Sequence, residues 1–439
     1  MVEESFTVPQ LVSEINVLTR PVWVDADLRP DLVDRFSLGA LPSLAILTPE
    51  RAWITGSTFL ETEDMIALVR RVRILNDIPE RIEDLERERR RLLKRRPHRQ
   101  VKVARTLDLD GLVAALVDSI KRSALGLRSG EAQVLLTVFG YGDETEAWLD
   151  LHASERQINA DGLFVTSLRS QDGLVRDELT SLGQNAGLLY TMAVVAGLTD
   201  DISLKERSFR LARAMVSQLY DEAGGGFYAG TADYMLEDSV LIARSEGTLL
   251  DRRILTAWNA LAVSALCQLA RFDPEHFVFA ESMQTSLDRI LRDAVENGGV
   301  FRTGARTNTR TLEDAAHLIR ACLDYADWSG DSAYFDQAEL LADQTLLSLD
   351  SKATQPDSLS GLLSGIVVGA DAEFGSPAGV LAQSLYRLAR GKEGALTEKA
   401  ESVVRNAILT NAERLPRLGA VGRAMVFDRS VYRRSDDNF

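Results

Sequence analysis

The sequence predicts a mainly α protein: an α/α toroid preceded by a small α/β region. Three observations carry this reading. From about residue 109 onward, apolar residues recur at helical spacing in one segment after another. A glycine-plus-hydrophobic motif also repeats, as Asp161-Gly162-Leu163-Phe164, Gly225-Gly226-Phe227-Tyr228, Gly298-Gly299-Val300-Phe301 and Ser360-Gly361-Leu362-Leu363, at intervals of about 63 to 73 residues. Most intervals hold two helical segments, so the unit is a helical hairpin closed by a tight glycine turn. Finally, Leu249–Ala270 opens with a polar, charged turn and from Ile254 onward is apolar on nearly every face, as fits an inner-layer helix of a large helical domain. A solenoid of helix pairs is the alternative architecture.

Taken in order, residues 1–75 form the α/β region. PVWVD at 21–25 and LAILT at 44–48 have strand character, and Pro42 stands immediately before the second run. A turn and a short strand follow in TPERAWITG. ETEDMIALVRRV then reads as a helix, with acids at its start and arginines near its end. Residues 76–108 are a dense charge run, read as a solvated connecting helix that ends at Pro97. The toroid occupies 109–439, with helices expected over roughly 109–126, 130–139, 143–158, 176–197, 203–220, 251–271, 276–294, 312–328, 332–349, 377–391 and 395–412.

Composition narrows the function. The chain of 439 residues carries a formal net charge of -15. That balance argues against nucleic acid as a partner, because phosphate contacts need clustered cations. No stretch of about 18 apolar residues is free of charge, so no membrane span is expected. MVEESFTVPQ has neither a basic segment nor an apolar core, which predicts a cytoplasmic protein. Cys267 and Cys322 lie in apolar helical patterns and read as buried free thiols. Neither a metal site nor a cofactor is expected from the sequence.

Acids at predicted inner-helix starts are Asp177, Glu178, Glu237, Asp238, Asp251, Glu313 and Asp314. Of these, Asp177, Asp251 and Glu313 are the catalytic candidates, since a glycosidase needs two carboxylates ~5 to ~9.5 Å apart. Asp251 is also placed to cap the helix that follows it. Among His98, His152, His276 and His317, the last stands one turn after Glu313, which would orient it for proton transfer. Gln184, Asn185, Trp258 and Asn259 place amides and an aromatic platform near helix starts and are the ligand-binding candidates.

The order strand, proline, strand, strand, helix in residues 21–75 resembles the second half of a thioredoxin fold. On that resemblance the Leu41–Pro42 bond is cis. The region lacks the Cys-x-x-Cys that thiol chemistry requires, so redox activity is not expected. More specifically, ESFTVPQLVSEIN, VWVDADLRPDL and LGALPSLAILTPE resemble the thioredoxin-like domain of the spermatogenesis-associated protein 20 family, shortened so that it begins after the cysteine segment. LLDRRILTAWNALAVSALCQLA, TLEDAAHLIRACLDYAD and GSPAGVLAQSLYRLA resemble later segments of the same family. Its relatives are similar to six-hairpin glycosidases and N-acylglucosamine 2-epimerases, which implies an (α/α)6 toroid.

The departures from that family bear on function. Where relatives carry V-P-H-F-E-K-M-L-Y-D-Q, this chain has Asp177 at the histidine, Thr180 at the lysine and Gln184 at the aspartate. The family's G-F-H-R-Y-S becomes Leu163 to Leu168. The resulting expectation is a catalytically degenerate family member, acting as a binding or assembly subunit toward a protein partner or a small sugar-like ligand. The alternative is a carbohydrate-active enzyme, a glycoside hydrolase or a sugar 2-epimerase, using carboxylates in the toroid mouth.

Overall fold

A computed structural model describes residues 8–36, 43–47, 53–58, 62–76, 117–122, 130–152, 158–159, 161–165, 167–170, 173–176, 179–232, 234–237, 240–243, 249–275, 277–297, 299–304, 310–350, 375–390, 395–410 and 423–424. The chain divides into two units, Met1–Lys102 and Val103–Phe439.

In the first unit, helix α1 (Pro9–Leu18) opens with a proline at its first position, where no N–H is missed. Helix α2 spans Pro30–Phe36. Strands β1 (Leu44–Leu47) and β2 (Trp53–Ser57) form an antiparallel pair with an irregularity between Ile46 and Leu47. Helix α3 (Thr62–Asn76) carries Glu63 and Asp64 in its first turn, as expected. Leu11 of α1 packs on Met65 and Val69 of α3, with Val8, Ile15, Leu18, Leu44 and Ile66 around them. The expected strand at 21–25 is not formed. Its backbone finds no pairing neighbour among the described residues, and Val22, Trp23 and Val24 stand in solvent. Among the described residues the sheet has two strands, so a thioredoxin-like sheet is not visible there. Pro42, its peptide bond and residues 77–116, most of the connecting segment, lie outside the described residues.

The second unit is an α/α toroid. Its described residues hold five helical hairpins, each an inner helix followed by an outer one. The inner helices are α4 (Gly130–Val138), α6 (Leu182–Thr199), α8 (Thr256–Ala270), α10 (Leu312–Ser329) and α12 (Pro377–Leu388). The outer helices are α5 (Gly142–His152), α7 (Ile202–Leu219), α9 (Ala280–Ala294), α11 (Ser332–Asp350) and α13 (Ala395–Thr410). Each inner helix packs on its own outer partner and on the next inner helix, in the order α4, α6, α8, α10, α12.

The sequence explains the two layers. Every residue of α8 from Thr256 to Ala270 is buried. Small residues (Ala257, Ala260, Ala262, Ser264 and Ala265) let α6 and α10 approach it, while Leu261, Leu266 and Leu269 fill the space between. Outer helix α9 instead buries one stripe, Met283, Ser286, Leu287 and Ile290, and turns Arg292 to solvent. Asp201 caps α7 by accepting from the Leu204 N–H at 3.1 Å. Cys267 and Cys322 are buried and free.

Among the described residues, β-hairpins and bridges return the chain from an outer helix to the next inner one, and the repeated glycine motif builds them. Gly162, Gly225 and Gly226 have φ of 91°, 74° and 83°, a region that L side chains rarely enter. They allow Phe164 to bridge Ile158 and Phe227 to bridge Tyr220. At the third motif β9 (Val295–Glu296) pairs with β10 (Gly299–Val300). The fourth, Ser360–Leu363, lies outside the described residues. Further pairs are β3 (Ser167–Ser170) with β4 (Gly173–Arg176), β5 (Gly230–Ala232) with β8 (Leu249–Asp251), and β6 (Tyr234–Glu237) with β7 (Val240–Ala243). The helix expected from residue 251 therefore begins five residues later, because Leu249–Asp251 is taken up as a strand.

Candidate functional site

Two buried asparagines set the geometry at the starts of the inner helices. Asn185 Oδ1 accepts from the Phe164 N–H at 2.8 Å, and its Nδ2 donates to Phe164 O at 3.1 Å and Ser181 O at 2.9 Å. One module later Asn259 repeats the pattern. Its Oδ1 accepts from the Phe227 N–H at 2.6 Å, and its Nδ2 donates to Phe227 O at 2.9 Å and Leu255 O at 3.0 Å. Each amide grips the preceding glycine hairpin and the first turn of its own helix. Both amide protons are thereby used, and each side chain keeps one carbonyl lone pair. Phe164 and Phe227 are the hydrophobic members of the repeated motif, so the clamp reads the same repeat that the sequence displays.

The start of α8 lacks a side-chain cap of its own. Neighbouring elements supply the acceptors instead. The Thr256 N–H donates to Arg302 O at 2.9 Å, and the Thr256 hydroxyl donates to Phe301 O. The Ala257 N–H donates to Asp314 Oδ1 at 3.0 Å. Asp314 sits in the first turn of α10, where Thr311 is the N-cap and accepts from the Asp314 N–H at 3.1 Å. Thr311 also donates to Asp314 Oδ2 at 2.6 Å.

Arg302 completes this cluster. Its Nη1 donates to Glu313 Oε2 at 2.7 Å and to Asp314 Oδ1 at 3.0 Å, and its guanidinium lies 5.9 Å over the Trp258 ring. Burial works against the Arg302 charge, but Asp314 and Glu313 outweigh it and raise its pKa. Arg302 and Asp314 are fully enclosed, whereas Glu313 keeps 15% of its side-chain surface.

A second buried cluster joins inner helices α4, α6 and α10. Glu131 of α4 accepts from Arg320 Nη1 of α10 at 2.9 Å and from Arg423. These helices are not neighbours in the ring, so the ion pair crosses it. The Arg320 guanidinium lies 4.5 Å from the centre of the Tyr190 ring, and that of Arg423 lies 5.7 Å from it. Arg320 Nη2 stands 3.1 Å from His317 Nδ1. Burial raises the Glu131 pKa, yet Arg423 and Arg320 together reverse the sign and leave it below the ordinary value. His317 is pushed well below the ordinary imidazole range by burial first, then by Arg320 and Arg302, and is neutral at pH 7.

The structure brings some of the sequence candidates together. Trp258 and Glu313 meet through Arg302. Asp251 stands elsewhere, in β8, where it accepts from the Arg253 backbone N–H at 3.1 Å and from Arg253 Nε at 2.8 Å. It is not the cap of α8, because the strand that contains it ends before the helix starts. Glu313 does not orient His317: the carboxylate is turned to Arg302, and the imidazole is held by Arg320. Asn185 and Asn259 hold backbone. Gln184 stands beside them in the first turn of α6, half-buried. Glu237 ends β6 opposite Val240. Asp177, Glu178 and Asp238 lie outside the described residues, as do His98 and His276. Among the described residues, no group of three or more His, Cys, Asp or Glu is placed to hold a metal ion, and no helix is long and apolar enough to cross a membrane.

Sequence reasoning missed Arg302, Glu131, Tyr190, Arg320 and Arg423. A signal exists for one of them: Arg320 is the lone cation in AAHLIRACL, an otherwise apolar helical run. Glu131 reads as an ordinary first-turn acid, and nothing near Arg423 marks its partner, which is 292 residues away.

Comparison with known proteins gives likenesses of backbone only. No protein-family model matches the chain, and no curated protein does. Among solved structures, a GH76 alpha-mannanase of Bacteroides thetaiotaomicron is similar at 12% identity and a TM-score of 0.49, covering 75% of this chain and 87% of that one. A cellobiose 2-epimerase of Bacillus thermoamylovorans is similar at 9% identity and a TM-score of 0.49, covering 70% and 87%. A D-mannose isomerase is similar at 16% identity and a TM-score of 0.42, covering 60% and 70%.

Proposed function

We propose that the toroid is carbohydrate-active and takes a sugar at the inner-helix starts, beside Trp258, Arg302 and Glu313. One observation supports this reading: an aromatic ring, a guanidinium and a partly exposed carboxylate converge at the starts of inner helices α8 and α10. Glu313, the partly exposed member, offers hydrogen bonds to sugar hydroxyls, with Arg302 and Trp258 packed behind it. Glu313, paired with Arg302, is the base or charge-stabilising carboxylate of the site. Asp177, a sequence candidate outside the described residues, is the proposed second carboxylate. On the motifs quoted above, we also infer membership of the spermatogenesis-associated protein 20 family, with a thioredoxin-like module at residues 1–75.

A second reading has its own support. Asn185 and Asn259 hold backbone and Asp314 is taken up by the Ala257 N–H, Arg302 and Thr311, which favours a toroid that binds without turnover. One experiment separates the two. Glucose, mannose and their disaccharides are titrated calorimetrically, and each mixture is then analysed for products by chromatography. The enzyme reading expects turnover that falls about 100-fold or more in Glu313→Gln. Binding without products supports the binding subunit, and no binding across the set defeats the carbohydrate reading.

A further inference from the structure

The interior cluster has a charge and hydrogen-bond balance that the proposed sugar site does not explain. Among the described residues, Glu131 is the one carboxylate paired with Arg320 and Arg423, so there two cations share a single anion. Arg320 and Glu131 are almost fully enclosed. A charge removed from water is strongly disfavoured unless matched, and here one positive charge lacks its match. The Tyr190 ring face softens that excess without neutralising it.

Two donors point the same way. An arginine guanidinium can only donate, so His317 Nδ1 must accept from Arg320 Nη2. The single proton of the neutral imidazole then sits on Nε2. That N–H is buried and has no partner, and Arg320 Nε–H is likewise buried without one. Buried donors of this kind are nearly always satisfied in folded proteins, by protein, water or ligand. His317 and Arg320 lie on adjacent turns of α10, one exposed by 1% and the other by 2%.

The geometry points to an oxyanion-binding pocket in the toroid interior, in which His317 Nε2–H and Arg320 Nε–H donate to a carboxylate or phosphate oxygen of a small ligand. The excess cation of the Glu131–Arg320–Arg423 cluster supplies the charge complement. Because His317 is already neutral, the ligand need not compete with an imidazolium or wait for one. This inference deepens the carbohydrate reading by naming the ligand as an acidic sugar, a sugar carboxylate or a sugar phosphate, and to that extent it rests on it.

The test uses the whole chain, with glucuronate, glucose 6-phosphate, inorganic phosphate and neutral glucose as probes in calorimetry. Binding of either acidic sugar at least about tenfold more tightly than glucose is expected. Glucuronate alone would identify a carboxylate site, and glucose 6-phosphate alone a phosphate site. His317→Asn keeps an acceptor near the Nδ1 position for Arg320 but removes the Nε2–H, so the fold is retained while the acidic preference falls by about tenfold or more. Arg320→Lys, which keeps the charge without the Nε–H, should weaken it similarly. Glucose binding as well as the acidic sugars overturns the oxyanion site and leaves the sugar reading standing. Phosphate binding as well as the acidic sugars sustains the oxyanion site and removes the sugar. An acidic preference that His317→Asn leaves intact in a folded variant places the anion elsewhere, and silence of all four probes ends both ideas.

Discussion

The toroid holds two enclosed arginine clusters of opposite balance. At the inner-helix starts, one arginine, Arg302, faces two carboxylates, Glu313 and Asp314. At the second cluster, one carboxylate, Glu131, faces two arginines. The first cluster is tied to backbone: Asp314 takes the first-turn N–H of α8 while holding Arg302. The second ties side chains of helices that are not neighbours in the ring. One therefore works as a joint between successive modules and the other as a bolt across the ring. The joint has surplus negative charge, and the bolt surplus positive charge. Their difference shows that enclosed ion pairs in one fold can serve a local backbone need or a global one.

The largest test of this contrast removes the shared anion of the bolt. Glu131→Ala leaves two enclosed arginines without a carboxylate and should cost about 3–5 kcal/mol in urea-induced unfolding. Its effect depends on pH. Because the folded-state pKa is depressed, the stabilisation is complete above the unfolded value near 4.5 and is lost as pH falls toward the folded value. Wild type and Glu131→Ala should therefore converge on acidification, and a constant gap down to pH 3 would break the assignment.

Asp314→Ala tests the joint. It strands Arg302 and the Ala257 N–H together and should cost about 3 kcal/mol, within the range for breaking an enclosed pair. Asp314→Asn keeps an acceptor and should recover part of the loss. Equal damage from both would show that charge alone matters there.

The amide clamps come next. Asn185→Ala and Asn259→Ala each leave a phenylalanine backbone pair unsatisfied and should cost about 1–3 kcal/mol, with similar values at the two modules. Clearly unequal losses would show that the repeat is one of sequence only.

His317 should give a smaller, pH-selective effect. Its pKa is depressed by enclosure and by Arg320, so its contribution is full above the unfolded value of 6.5 and declines as pH falls below it. Thermal melts of wild type should lose stability between pH 7 and 5 in a way that His317→Asn does not. Smallest of all is Arg70→Ala in the first unit. It removes an exposed pair with Glu14 and should leave the melting temperature unchanged.

Much of the fold is legible in the sequence, because its rules are local. The Gly162, Gly225 and Gly299 turns, the buried face of α8 and the single stripe of α9 each declare themselves within a few residues. The errors are also physical. Val22 to Val24 has strand composition but no partner strand among the described residues, and Asp251, read as opening a helix, lies in a strand beside Gly230–Ala232. The site is less legible. Trp258 and Glu313 are marked by type and position, yet their meeting depends on Arg302, which nothing in its own neighbourhood singles out. Glu131 and Arg320 are 189 residues apart, and only the closed ring makes them partners.

That closure also bears on how the molecule is made. The contact of Arg423 with Glu131 joins positions 292 apart, so the ring cannot shut until nearly all of its modules exist. During synthesis, α4 emerges early and its acid waits for two late-arriving cations, whereas the hairpin clamps form as each module is completed. Long loops close slowly relative to local contacts. Pulse-labelled hydrogen exchange during refolding should show α6 and α8 protected first and α4 last, and early protection of α4 would contradict this order.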